Sequence, residues 1–270
     1  MTRNEDIHFA IATYKPPSII SINRMYTQEQ IKPYGDNGSK REQVERMFNN
    51  IAHSYDMLNH TLSFGIDRCW RNEAISFLLK NRRSTDSILD IATGTGDFAI
   101  LAYKRLHPKR IVGCDISEGM MNIGREKVSK MNLDKHISFQ NEDCSQMSFA
   151  DNSFDAVISA FALRNFQNLD VCLKEMHRVL NADGHLSVVD LCAPTSFPMK
   201  QLFYIYKRCV MPTIGRLFSK DMSAYSYLPD TMDAVPQGAT MQKIIEQAGF
   251  KNVRYKRLIF GMCMLYTAQK

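Results

Sequence analysis

One stretch constrains this chain more than any other: Ser87-Ile88-Leu89-Asp90-Ile91-Ala92-Thr93-Gly94-Thr95-Gly96-Asp97. Its apolar, β-branched front half reads as a buried strand. The two glycines predict a turn in which the backbone takes positive φ and comes close to a ligand, and a helix opens at Asp97. A second apolar run, Arg110 to Asp115, ends in a carboxylate 21 residues after Gly94. In a strand–turn–helix–strand unit, a carboxylate at that distance is placed to accept hydrogen bonds from ribose hydroxyls. The stretch therefore predicts an adenosine-containing cofactor.

The charges around the turn select among such cofactors. A pyrophosphate seats on a helix N-terminus because the partial positive charge there favours an anion. Here Asp97 stands at that position and Asp90 lies just before the turn. Two carboxylates repel a pyrophosphate, which disfavours a nicotinamide oxidoreductase. They suit an ammonium and a sulfonium, the charges of S-adenosylmethionine (SAM). A glycine turn with no ligand is the plain alternative, and Gly-x-Gly alone would not displace it. The flanking acids with Asp115 do.

The 270 residues suit one large domain with additions, and 44% hydrophobic content supports a full core. A net charge of +6 permits an acidic surface as partner without requiring nucleic acid. The seven cysteines form no Cys-x-x-Cys pair and fall largely in apolar runs. They read as small core residues in a reducing compartment. No apolar run approaches the ~18–20 residues that span a bilayer, and the front carries Glu5, Asp6 and His8 where a secretion signal would be apolar. The expected location is cytoplasmic, with peripheral contact at the inner face of the membrane left open. The histidines lack ligand spacing, so no metal is expected.

Taken in order, residues 1–39 lack sustained periodicity and read as a mobile or loosely docked extension, with Met25 a candidate true start. From Lys40 the residues Val44, Met47, Phe48, Ile51, Tyr55 and Leu58 follow helical spacing, and a second helix starts at Asp67. These cap helices (40–80) read as packing elements or as a lid over the cofactor, with Tyr55 and Trp70 as candidate walls. Strand-like runs at 86–92, 110–115, 137–140, 154–161 and 185–191 then alternate with helix-like runs at 97–106, 117–132 and 168–180. Such alternation predicts parallel strands with helices on both faces and ligands at the carboxyl ends of the strands. Asp115, Ile116, Asp143, Cys144 and residues 160–165 follow strands and become candidates. Asp143 is placed to accept from an adenine amino group, or to serve as an ordinary turn cap.

Residues 192–237 form an insertion of another character. No acid lies between Asp190 and Asp221, whereas Lys200, Lys207, Arg208, Arg216 and Lys220 are basic. Leu202, Phe203, Ile205, Tyr206 and Val210 give an apolar face at helical spacing. The expectation is a helix that closes the acceptor pocket and touches lipid. Tyr225, Tyr227, Pro229 and Pro236 are expected in a loop, and 239–248 in a helix. The runs 252–259 and 262–268 are expected to pair as an antiparallel hairpin, completing a seven-stranded, mostly parallel sheet.

Several motifs together resemble the ubiquinone/menaquinone biosynthesis C-methyltransferases. They are Leu-Asp-Ile-Ala-Thr-Gly-Thr-Gly-Asp (89–97), Phe-Ala-Leu-Arg-Asn (161–165), Tyr-Ser-Tyr-Leu (225–228), Ser-Phe-Gly-Ile-Asp-Arg-x-Trp (63–70) and Arg-Val-Leu-x-x-x-Gly (178–184). The resemblance runs from about residue 40 to the C-terminus, and it extends to Ala92, where methyltransferases at large carry glycine. It implies the class I, Rossmann-like SAM-dependent methyltransferase fold. It also implies methyl transfer from SAM to a ring carbon of a prenylated quinol, with demethylmenaquinol the nearest acceptor. The benzoquinol of ubiquinone synthesis, both acceptors, or another small molecule stay open. By the same resemblance Thr95, Asp115 and the Asp143–Cys144 pair bind SAM, Cys144 being a departure from the family's usual Asn-Ala. Asp90, Gly94, Gly96, Asp97 and Ile116 complete the cofactor set. Arg164 and Asn165 are expected near the reaction centre, Arg164 stabilising a phenolate or orienting a water, with an ion pair as its bland role. Tyr225 and Tyr227 are expected to contact the ring or its oxygens, with pocket packing as the bland role. A homodimer is a further open expectation.

A nucleic-acid methyltransferase shares such a fold, but the loop after the fourth strand lacks an Asn/Asp-Pro-Pro-Tyr/Phe signature, and no dense basic stripe is present. A non-catalytic quinone-binding protein is the remaining reading from another class, against which the intact Arg164–Asn165 pair speaks.

Overall fold

The computed structural model describes residues 25–81, 85–210 and 223–270. Two helices precede the sheet after a single turn of helix, α1 (Thr27–Gln30). α2 (Lys40–Leu62) starts where Ser39 and Glu42 satisfy each other's backbone amides in a capping box. α3 is Asp67–Lys80. The alternating core follows as β1 (Ser87–Ile91), α4 (Asp97–Leu106), β2 (Arg110–Asp115), α5 (Glu118–Lys130), β3 (Ile137–Asn141), β4 (Phe154–Ala160), α6 (Leu169–Val179) and β5 (Leu180–Leu191). α7 (Met199–Ile205) runs into a short π-helical turn at 206–210, and α8 (Ser223–Ala234) and α9 (Ala239–Gln247) lead to β6 (Lys251–Arg257) and β7 (Cys263–Gln269).

The seven strands form one sheet in the order β3-β2-β1-β4-β5-β7-β6. β1 to β5 are parallel, and β7 lies antiparallel between β5 and β6. The expected hairpin exists, and it is inserted so that its second strand touches the sheet first. Strand periodicity divides the core in two. Ile88, Ile111, Ala156 and Ile158 face α3 and α4 with Trp70, Leu78 and Leu106. Leu89, Ile91, Val112 and Val157 face α6 and α9 with Leu173, Met176 and Ile244.

Two expectations are corrected. Residues 25–39 belong to the packed body: Gln28 is fully buried, and Glu29 accepts from the Leu169 amide at 2.8 Å. Short segments without helical period can still dock when polar side chains find backbone partners, which periodicity does not detect. The region 223–234 is a helix with Pro229 inside it. Burial of Tyr227, Met232 and Thr231 outweighs the hydrogen bond the proline removes. Residues 1–24, Arg216, Lys220 and the Tyr225 side chain lie outside the described residues.

Candidate functional site

The carboxyl ends of β1, β2, β3 and β4 open into a cavity of about 280 Å³. Gly94, Asp115, Ile116, Asp143, Cys144 and Asn165 line it, with Tyr55, Ala92, Ala160 and Phe161. Asp115 is held by two backbone amides, Gly94 N to Oδ2 at 2.8 Å and Ser117 N to Oδ1 at 2.8 Å. The turn glycine therefore spends its amide on a carboxylate, where a dinucleotide turn would offer it to phosphate. Burial pushes the Asp115 carboxyl up to about 6, against the pull of those amides. Its remaining lone pairs face the cavity, where ribose hydroxyls can donate to them.

Asp143 bonds the backbone amide and hydroxyl of Ser145 at 2.8 and 2.7 Å, so its turn-capping role is real. It also lines the cavity and forms an ion pair with Arg41 of α2, which arches over the opening. Those partners hold its carboxyl below the usual range despite its partial burial. Cys144 is buried, and its thiol points at the Cys172 carbonyl at 3.8 Å, a weak contact.

Backbone conformation at the strand ends is costly. Ala92 after β1 has φ +53° and Phe161 after β4 has φ +65°. Non-glycine residues in that region carry roughly 1–3 kcal/mol of strain each. Gly96 at φ +77° is required twice over, because a Cβ there would meet the Phe139 ring at 2.8 Å.

A smaller recess joins the cavity along Tyr55, Ala92, Gly94 and Ala160, and is walled by Arg71, Asp90, Thr95 and Asp97. Asp90 is fully buried; its Oδ2 accepts from Thr93 Oγ1 at 2.6 Å and its Oδ1 has no partner. Burial pushes its carboxyl up to about 7. Opposite, Arg71 pairs with Asp67 at 2.5 Å and leaves a buried Nε without a partner. An orphaned carboxylate oxygen and an orphaned guanidinium N–H flanking one recess match the ammonium and carboxylate of an amino acid. Thr95 and Asp97 are tied outward. The Thr95 hydroxyl donates to Asp56 at 2.6 Å, and Lys127 pairs with Asp56 at 2.5 Å and with Asp97 at 2.7 Å.

Of the three expected catalytic residues, the structure brings one to the cavity. Asn165 lines it, with Nδ2 on the Phe161 carbonyl at 3.2 Å and a buried, unpartnered Oδ1. Arg164 sits behind the same short 3₁₀ turn (Leu163–Asn165), paired through Nη1 with Asp190 at 2.6 Å and leaving Nε without a partner. Its ion-pair role is thus fulfilled. Tyr227, 4% exposed on α8, packs with Val44 and Met47, and its hydroxyl has no partner.

On the other side of Phe161 lies a second pocket of about 50 Å³, lined by Leu62, Trp70, Phe203, Tyr206, Leu228, Met232 and Met262 among others. It is mostly apolar, with Asn59, Ser63 and Asp67 as its polar members, and is plugged by Phe203 and Met232, which form their own small core. Phe161 borders both spaces. Sequence reasoning missed Arg71, Asp56, Lys127 and Asp190. Asp190 near the end of β5 obeys the strand-end rule that found Asp115, and Arg71 follows Trp70 directly. Nothing local marks Lys127.

The family model described as the ubiE/COQ5 methyltransferase family matches residues 36–270. A demethylmenaquinone methyltransferase from Bacteroides fragilis is 58% identical over 245 residues, covering 91% of this chain and 99% of that protein. One from Porphyromonas gingivalis is 43% identical over 247 residues, covering 91% and 100%. Among solved structures, a SAM-dependent methyltransferase from Aquifex aeolicus superposes with a TM-score of 0.53 at 19% identity, over 73% of this chain and 88% of that one. The last likeness speaks to the fold alone, and the first three to kinship: the chain belongs to the ubiE/COQ5 methyltransferase family.

Proposed function

We propose that this chain transfers a methyl group from S-adenosylmethionine to a ring carbon of demethylmenaquinol, yielding menaquinol. The observation that carries the reading is the meeting of a cavity that carries carboxylates at the strand ends and a mostly apolar pocket at Phe161. An adenosyl amino acid suits the first, and the second takes a prenylated aromatic ring once Phe203 and Met232 move aside. The names of the relatives point to the same acceptor.

Bound SAM supplies an electrophilic methyl group on a positively charged sulfur. Asp115 accepts the ribose hydroxyls with its geometry already set by Gly94 and Ser117. Asp143 would receive the adenine edge, with Ile116 and Cys144 lining that part of the cavity. Asp90 would take the ammonium and Arg71 the carboxylate of the methionyl end. Asp97 and Thr95 hold the turn to α2 and α5 through Asp56 and Lys127, and Gly96 lets the chain pass Phe139.

The ring carbon becomes nucleophilic when its neighbouring hydroxyl gives up a proton. The new carbon–methyl bond replaces the sulfur–methyl bond, and one proton leaves overall. Arg164 is a poor base, since a guanidinium stays protonated to about pH 12 and above. Arg164 is moreover paired with Asp190 and acts through the turn it supports, while Asn165, which lines the cavity, offers an unpartnered oxygen to a ring hydroxyl or a water. Incubation with labelled SAM and a demethylated naphthoquinol, and separately a benzoquinol, tests the reading by locating the methyl. Ring-carbon methylation of the naphthoquinol is expected. Transfer to the benzoquinol alone, or to neither, would overturn it.

The acceptor side also suits a lipid surface. Phe64, Phe197, Leu202, Ile205 and Phe260 are each more than half exposed, beside Lys200 and Arg208. Aromatic and aliphatic side chains with neighbouring lysine and arginine match an anionic bilayer. Among the described residues no helix is long and apolar enough to cross a membrane. Co-sedimentation with anionic but not neutral vesicles is expected, and equal failure with both would refute the contact.

A further inference from the structure

We propose that Lys40 is a positioning residue for the Arg164–Asn165 turn, held in place by the segment 26–31 acting as a clasp. The inference rests on the methyltransferase reading above and adds a residue that touches neither the cofactor cavity nor the apolar pocket.

Lys40 opens α2, where a lysine would normally reach solvent. Here it is 1% exposed. Its ammonium donates to the Arg164 carbonyl at 2.9 Å and to the Gln28 carbonyl, and stands 5.8 Å from the centre of the Tyr227 ring. An ammonium is expensive to bury, and burial lowers the Lys40 pKa to about 7 with Glu29 and Asp190 opposing that shift. One lysine thus joins α1, α2, α8 and the turn between β4 and α6.

The point of attachment matters. The Arg164 carbonyl belongs to the peptide plane that carries the Asn165 N–H. That N–H donates back to the Ala162 carbonyl at 2.8 Å. The Arg164 N–H is fixed separately, on Asp190 at 2.8 Å. Lys40 holds the carbonyl edge of the 164–165 peptide plane, whose N–H edge rests on Ala162, and so secures the direction in which Asn165 enters the cavity.

The clasp anchors the other end of the same loop. Glu29 accepts from Tyr26 N and Leu169 N at 2.8 Å each, and the Tyr26 hydroxyl donates to Asp170 at 2.8 Å. Leu169 and Asp170 start α6 four and five residues beyond Asn165. The loop is therefore gripped before and after, by one short segment and one lysine. The buried polar atoms left without partners nearby belong to this same assembly: both ends of the Gln28 amide, Arg164 Nε, Asn165 Oδ1 and Tyr227 Oη. Asn165 Oδ1 alone among them lies at the cavity, and a turn with so much spare polar capacity needs holding, because unheld it would rotate to satisfy those groups itself.

The test uses the full-length protein and two variants. Lys40→Met keeps the apolar stem and removes the ammonium. We expect kcat to fall about 10–100-fold, while SAM Kd and acceptor KM stay within about twofold, since Lys40 borders neither space. Glu29→Ala loosens the clasp and lowers kcat less. The double variant falls no further than Lys40→Met, because both act through one turn. Amide exchange at residues 162–166 accelerates in each variant relative to the rest of the sheet, a readout that needs no acceptor. Unchanged exchange in Lys40→Met overturns the proposal, as does a kcat loss that merely tracks a lost folded fraction. If the wild type binds SAM but methylates no quinol, the functional reading fails instead, and the exchange experiment still judges the clasp.

Discussion

The two halves of the site are built on opposite principles. The cofactor half is roomy, mixed in polarity and preset: Asp115, Asp143 and Thr95 each have their partners fixed before any ligand arrives. The acceptor half is apolar and filled, its space of about 50 Å³ plugged by side chains of α7 and α8. Under the proposed function, one half recognises by hydrogen bonds that must not move, whereas the other recognises by contact area that can rearrange. The difference follows from the ligands: a nucleoside with a fixed set of donors rewards rigid acceptors, and a prenylated ring offers little except apolar surface.

The largest expected effect lies in the rigid half. Asp115→Ala removes the ribose acceptors and strands the amides of Gly94 and Ser117. At roughly 1.5–3 kcal/mol per hydrogen bond to a charged group, two such bonds raise the SAM Kd at least about 100-fold. Isothermal titration reads this, and a change under tenfold would mean that Asp115 does not carry the nucleoside.

Asp90→Asn probes what presetting costs. The folded protein holds the Asp90 carboxyl at about 7, well above its ordinary value. Between roughly pH 4 and 7 the folded state therefore binds more protons than the unfolded one, and stability falls as pH rises through that window. The loss is a few kcal/mol at most. Asn removes it, so the variant gains melting temperature at pH 8, gains nothing at pH 4, and binds SAM more weakly. Parallel melting curves of both proteins at the two pH values that moved together would contradict the assignment.

A smaller effect is expected across Phe161. Leu228→Ser exchanges apolar wall for hydroxyl in the acceptor pocket, worth about 1–2 kcal/mol of buried area. Acceptor KM rises about tenfold and SAM Kd stays put. Equal weakening of both would erase the division between the halves.

The same contrast governs what the sequence could disclose. Strand–turn–helix spacing is a local property, so Ala92 to Asp97, Asp115 and Asp143 were legible, along with the alternating core and the C-terminal hairpin. The clustering of Arg71, Lys127 and Asp56 depends on how α2, α3 and α5 pack on the strand ends, and no spacing rule encodes that. Arg164 was legible as a residue of interest, yet its distance from the cavity depends on Asp190, 26 residues on. Residues 25–39 and 223–234 depart from their sequence expectations for related reasons. Docking by Gln28 and Glu29 leaves no periodic trace, and Pro229 signals a break that burial of Tyr227 and Met232 overrides.

The central claim, two unlike half-sites sharing one seam, is tested most directly by amide hydrogen exchange with S-adenosylhomocysteine and with an apolar naphthoquinone, each added alone. The expected result is that the first protects residues 92–97, 115–117 and 143–145, that the second protects 59–63, 199–206 and 226–232, and that both protect 161–165. Protection of the acceptor segments by S-adenosylhomocysteine alone, or a quinone footprint that leaves 161–165 untouched, would contradict it.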